Sequence, residues 1–230
     1  MIYNRLLRSA ALWALLIFAF PCFAQEGNAR WFYGAGLNLG WYSPSLDYWQ
    51  ENSEFKDAAF GGAVSVRAFA EAKIKGDLHA AIGVGYWQES TDDDLQGFGN
   101  TTMLLTGYPI SLDLLYYLSP MRFSVITPYA GLGGEYLIVQ HKLEFEQKDN
   151  PDPTTGSTVS GKAIFGFEAR LSEQFALDLD FNYKFGHYQQ EFNREVPDPN
   201  DPDNPPDVVI ETEDISLNGP QIGLTLKYIF

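Results

Sequence analysis

From residue 33 onward the chain alternates apolar and polar positions with a period of two, the pattern of strands that bury one face. Eight such segments can be marked. In the first, Tyr33, Ala35, Leu37, Leu39 and Trp41 oppose Gly34, Gly36, Asn38 and Gly40. The second sets Val64, Val66, Ala68, Ala70, Ala72 and Ile74 against Ser65, Arg67, Glu71 and Lys73. In the third, Leu78, Ala80, Ile82, Val84 and Tyr86 face away from His79, Gly83, Gly85 and Glu89. The fourth places Leu104, Tyr108, Ile110, Leu112, Leu114 and Tyr116 opposite Ser111 and Asp113. The fifth opposes Ile126, Ala130, Leu132, Tyr136 and Ile138 to Thr127, Tyr129, Gly131, Gly133 and Glu135. Phe165, Phe167, Ala169 and Leu171 face away from Gly166, Glu168 and Arg170 in the sixth. The seventh, the clearest, alternates Leu177, Leu179, Phe181, Tyr183 and Phe185 with Asp178, Asp180, Asn182 and Lys184. The last alternates Ile222, Leu224, Leu226, Tyr228 and Phe230 with Gln221, Gly223, Thr225 and Lys227.

The connections alternate in length. Short turns fall at 75–77, 119–122 and 172–174, and long loops at about 43–59, 90–102, 140–161 and 189–216. An even strand count with short turns at one end and long loops at the other is the layout of an outer-membrane barrel. The strands also reach the ~9–11 residues that cross a bilayer at a tilt. The expected fold is all-β: a closed antiparallel eight-stranded transmembrane β-barrel with short periplasmic turns and long extracellular loops. A soluble barrel would turn its aliphatic face inward and its charges to water. Here the polar face carries seven acids and five bases, so apolar-out and charged-in points to lipid. Closure follows, because hydrocarbon tolerates no unpaired strand edge.

Residues 1–24 read as a secretory signal peptide. Arg5 and Arg8 form the basic start, Ala10 to Phe20 an apolar run about half the length of a spanning helix, and Cys22-Phe23-Ala24 a cleavage site before Gln25. The alternative, a lipoprotein acylated at Cys22, is disfavoured by Phe20 and Pro21 where small residues are needed. Residues 25–230 are then the barrel domain. Loss of the leader removes the one cysteine, so the mature chain has neither a disulfide nor a thiol nucleophile. It also leaves 13 basic against 30 acidic residues, a balance that disfavours nucleic acid as a partner. Cofactors are not expected.

Two segments carry a resemblance to a known family. Gly223-Leu224-Thr225-Leu226-Lys227-Tyr228-Ile229-Phe230 resembles the C-terminal signature of bacterial outer-membrane barrels, and Pro128 to Tyr136 resembles the fifth strand of small OmpA- and OmpX-like barrels. The resemblance implies a porin-like outer-membrane barrel set among outer-membrane lipid and lipopolysaccharide. It also implies recognition by the barrel-assembly machinery through a C-terminal signal at Gly223, Leu226, Tyr228 and Phe230.

Eight strands enclose a lumen just wide enough for side chains to fill. The inward charges are Arg67, Glu71, Lys73, Glu89, Asp113, Glu135, Glu168, Arg170, Asp178, Asp180, Lys184 and Lys227. Buried charges persist when paired, so these are expected to form a salt-bridge network that plugs the barrel. The alternative is a narrow porin-like channel for ions or small solutes. The four long loops hold 20 acids and 4 bases, with Pro197 to Asp207 rich in both Pro and Asp. They read as a solvated rim. Oxygen ligands there and at Asp92-Asp93-Asp94 suit divalent cations, although no EF-hand spacing is present. Leu143 to Gln147 and Val208 to Leu217 keep β character, so strands five and eight are expected to extend above the membrane, with an edge open to strand addition. His79, His141 and His187 are scattered and stand at no nucleophile spacing, so no enzyme is expected. The function read from sequence is structural or surface-interactive.

Overall fold

The computed structural model describes residues 32–47, 61–95, 99–121, 123–146, 150, 152–196 and 207–230. Among the described residues there are ten strands: β1 (Phe32–Tyr42), β2 (Ala63–Lys75), β3 (Leu78–Leu95), β4 (Gly99–Tyr117), β5 (Ile126–Phe145), β6 (Thr154–Arg170), β7 (Phe175–Phe185), β8 (His187–Val196), β9 (Asp207–Ser216) and β10 (Gly219–Ile229). Eight of them close a barrel in the order β1-β10-β7-β6-β5-β4-β3-β2, and β8 and β9 pair as a separate hairpin. Every neighbouring pair is antiparallel, and β1 seals against β10 from Gly34–Ile229 to Tyr42–Gln221.

The period-two pattern translates directly into the wall. Ile82, Leu132 and Leu224 point outward and are exposed, whereas Glu71, Asp113 and Lys227 on the other parity are buried inside. An aliphatic surface of this kind is stable only against lipid. Trp41, Tyr86, Tyr108, Tyr136 and Tyr183 stand outward near its upper border, and Tyr116, Phe175 and Tyr228 near its lower one. On β4 the two borders, Tyr108 and Tyr116, lie eight residues apart, about 26 Å along a strand and ~20 Å once tilted, close to the height of an outer-membrane apolar band.

Three expectations are corrected. Tyr33 does not share the outer face with Leu37. A bulge between Phe32 and Gly34 against β2 inserts one extra residue, which reverses the alternation and turns Tyr33 into the lumen. The connections at 90–102 and 140–161 are not mainly loops: β3 and β4 pair up to Leu95–Gly99, and β5 and β6 up to His141–Thr154 with β5 running on to Phe145. Long in-register pairing continues there because the alternation is carried by Thr, Met and Ser as well as by aliphatics. Val208 to Ser216 forms β9 of the hairpin and does not extend the last barrel strand, because the chain leaves the sheet at Leu217-Asn218 before β10 begins. Residues 1–31, the body of the first long loop at 48–60 and the Pro/Asp run at 197–206 lie outside the described residues.

Candidate functional site: the lumen and its two mouths

The inward charges collect in layers. The periplasmic layer is built on Lys227 of β10, whose Nζ lies 3.0 Å from Glu71, 3.0 Å from Glu168 and 2.8 Å from Asp178. It also donates to Tyr117 OH at 2.9 Å, so three ammonium protons are shared among four oxygens. His79 Nδ1 stands 2.6 Å from Glu71, and Tyr117 donates to the same carboxylate at 3.0 Å. Arg170 and Tyr33 both donate to Glu168 at 3.0 Å, and Arg170 also bonds Tyr33 OH.

Above it, Asp180 is held differently. Asn38 donates to it at 2.7 Å, Thr225 at 3.2 Å and Tyr129 at 3.3 Å, so its oxygens are bonded by neutral donors. The next layer is again ionic. Arg67 meets Asp113 at 2.5 Å and Ser111 at 3.0 Å. Lys162 bridges Asp113 at 2.9 Å and Glu135 at 3.2 Å, and Lys184 reaches Glu135 at 3.0 Å. At Gly133 a Cβ would stand 2.2 Å from an Asp113 oxygen and 2.6 Å from Lys162, so this pair closes only over a residue without a side chain.

Of the twelve inward charges expected from sequence, nine are thus joined by ion pairs, and Asp180 enters through hydrogen bonds to uncharged groups. Of the other two inward charges, Lys73 stands exposed at the periplasmic mouth, and Glu89 is buried near the extracellular end, where it accepts from Gly62 N at 2.7 Å. Three participants were missed, Lys162, Tyr33 and Tyr117, while Tyr129 stands on the inward face its alternation predicts and adds a bond to Asp180. Lys162 carried a readable signal, since it shares even parity with Ile164, Gly166, Glu168 and Arg170 on β6.

An apolar cluster packs the extracellular part of the lumen. Trp87, Met103, Leu105, Leu137 and Val139 from the wall pack with Leu46 from the first connection and with Tyr188, Ile215 and Leu217 from the hairpin region. Trp87 lies across Gly107, where a Cβ would come within 2.1 Å of the indole. Tyr42 edges against Trp87 with ring centres 5.6 Å apart and takes Lys184 Nζ over its ring at 4.6 Å, which joins the apolar cap to the ionic layer.

Among the described residues, open space of any size lies at the periplasmic end. A vestibule of about 600 Å³ is lined there by Tyr33, Lys73, Asp77, His79, Arg170 and Glu173. Deeper in, two cavities of about 20 Å³ each lie within the ionic layers, each room for about one water. The three histidines are dispersed: His79 in the periplasmic layer, His141 under the hairpin and His187 exposed at its base. No group of three or more His, Asp or Glu side chains arranged to hold a metal occurs among the described residues. At the C-terminus, Tyr228 stacks edge-on with Phe175 and Phe230, while Phe230 N donates to Tyr33 O.

Comparison with known proteins agrees with this architecture. The crystal structure of Neisserial surface protein A is similar with a TM-score of 0.50 and 14% identity, covering 89% of this chain and 100% of that one. The crystal structure of OprG from Pseudomonas aeruginosa is similar with a TM-score of 0.53 and 15% identity, covering 87% and 97%. At such identities the likeness concerns the fold. No curated protein sequence matches the chain. The model of the outer membrane protein beta-barrel domain family matches residues 10–230. The chain therefore belongs to the outer membrane protein beta-barrel domain family and is an integral protein of the bacterial outer membrane.

Proposed function

We propose that the chain is a non-enzymatic barrel whose lumen is closed and whose role is structural or one of surface contact. The observation that carries this reading is the filling of the lumen. Among the described residues between the vestibule and the extracellular mouth, ionic layers and an apolar cap surround cavities of about 20 Å³ each, which supports a closed lumen. A hydrated ion needs a continuous wet path, and buried ion pairs with several partners each do not part cheaply. Residues 1–24 serve as the export signal. Gly223, Leu226, Tyr228 and Phe230 serve as the signal to the assembly machinery, supported by the exposure of Leu226 and Tyr228 on the lipid face. The acidic connections meet lipopolysaccharide through divalent cations.

The second reading, a narrow channel for ions or small solutes, draws on the open periplasmic vestibule of about 600 Å³. Liposome swelling separates the two. Vesicles carrying the folded barrel are expected to shrink and hold in glycine, arabinose or sodium chloride as empty vesicles do. Re-swelling in any of them would favour the channel.

A further inference from the structure

The β8–β9 hairpin is tied to the barrel wall through a small polar cluster in which His141 and Gln190 are buried and Thr154 stands exposed at the edge. Gln190 on β8 donates from Nε2 to Thr154 Oγ1 on β6 at 2.9 Å and to His141 Nδ1 on β5 at 3.1 Å. Thr154 Oγ1 itself lies 3.5 Å from that nitrogen. Tyr188 OH donates to Gln190 Oε1 at 3.3 Å, which fixes the amide with its NH₂ end toward the imidazole. Nδ1 must then accept, and it can do so only in a neutral ring; an imidazolium would set N–H against N–H.

The surroundings favour the neutral ring. On β4 the residue paired with His141 is Leu105, and on β6 it is Thr154. In the same pairing rows, acids stand on β3, where Glu89 pairs with Leu105, and on β9, where Glu213 pairs with Gln190. Lys142 and Glu144, its neighbours on β5, pair with each other outside. Burial dominates, and it holds the His141 pKa down from 6.5 to about 4.

The hairpin region also supplies Tyr188, Ile215 and Leu217 to the apolar cap. Whatever lifts the hairpin therefore withdraws part of the cap. We propose that His141, Gln190 and Thr154 form an acid-released latch that seats the β8–β9 hairpin on the barrel, so that protonation of His141 frees the hairpin and loosens the extracellular closure. The latch rests on the closed-lumen reading, but its motion can be measured without any flux.

The test is a distance measurement by paired spin labels in lipid nanodiscs, with cysteines at the exposed positions Thr155 on β6 and Thr212 on β9. The expected result is one narrow distance distribution at pH 7.5 and a broader, longer one at pH 4.5. Between pH 6.5 and about 4 the seated-to-released ratio should fall about tenfold per unit. His141→Gln, which still accepts but does not titrate, should stay narrow at both values, and Gln190→Leu should be broad at both. An unchanged wild-type distribution, a full acid response in His141→Gln or a narrow distribution in Gln190→Leu would overturn the latch. Solute flux at pH 7.5 would instead count against the closed lumen.

Discussion

Lys227 on β10 places its ammonium 3.0 Å from the carboxylate of Glu71 on β2, reaching past β1 to do so. The same nitrogen serves Glu168 and Asp178, so one cation compensates three acids at a site almost without exposure. Removing one partner of a buried pair leaves the other charge uncompensated and costs about 3–5 kcal/mol. Lys227→Met should therefore be the most damaging single change in the lumen, lowering the urea midpoint of the detergent-folded barrel by that order.

The other cations rank below it for a geometric reason. Asp113 keeps Lys162 when Arg67 is lost, and Glu168 keeps Lys227 when Arg170 is lost. The Arg170 side chain is also 31% exposed, and partly solvated pairs contribute about 1 kcal/mol or less. Arg67→Met should cost an intermediate amount and Arg170→Met at most about 1 kcal/mol, read as shifts in the same unfolding midpoint. An Arg170→Met cost equal to that of Lys227→Met would contradict the layered arrangement.

Two aspartates that look alike in sequence should respond differently. Asp180→Asn keeps a polar group among Asn38, Thr225 and Tyr129 and should stay within about 1 kcal/mol of the parent. Asp113→Asn removes the charge between Arg67 and Lys162 and should cost about 3 kcal/mol. Thermal unfolding followed by the gel shift of heat-modifiable barrels would rank the pair.

The apolar cap has its own test. A methyl at Gly107 must displace Trp87, so Gly107→Ala should cost about 1–3 kcal/mol by overpacking. The change should appear as a red shift in indole emission as Trp87 loses its buried site. Emission unchanged from the parent would mean that Trp87 is not wedged as described.

Glu89 links the cap to pH. Burial raises its pKa above the usual 4.5, and a hydrogen bond from Gly62 N opposes that only in part. A raised folded pKa means that the folded chain prefers the protonated acid, so wild type loses stability as pH rises from about 4.5 through the folded value. Glu89→Gln should therefore stabilise the barrel at pH 8, with the gain shrinking as pH falls toward 4.5. Measuring the variant against wild type at each pH cancels the opposite contribution of His141. A gain independent of pH would contradict the assignment.

How far the sequence carried the fold follows from its periodicity. Alternation at Leu177 to Phe185 and Ile222 to Tyr228 fixes which face meets lipid, because a one-residue slip would reverse every side chain. That logic fails at two kinds of place. At Tyr33 a bulge adds a residue and leaves no compositional trace, so an inward phenol looks like a lipid-facing one. Around Leu105 and Leu137 both faces are apolar, so the inner cap is indistinguishable from the outer belt without the register. The charges were legible as a set, but their grouping was not. Lys227 meets Glu168 only because β7 intervenes and the strands tilt, and neither enters a one-dimensional pattern.

The central claim is that the lumen is closed, and single-channel recording of the mature, refolded barrel in a planar bilayer at neutral pH tests it most directly. A silent bilayer, with folding verified in the same preparation, is the expected result. Stable discrete steps whose ion preference shifts in Lys227→Met or Arg67→Met would contradict it, and would make the ionic layers the wall of a conducting path.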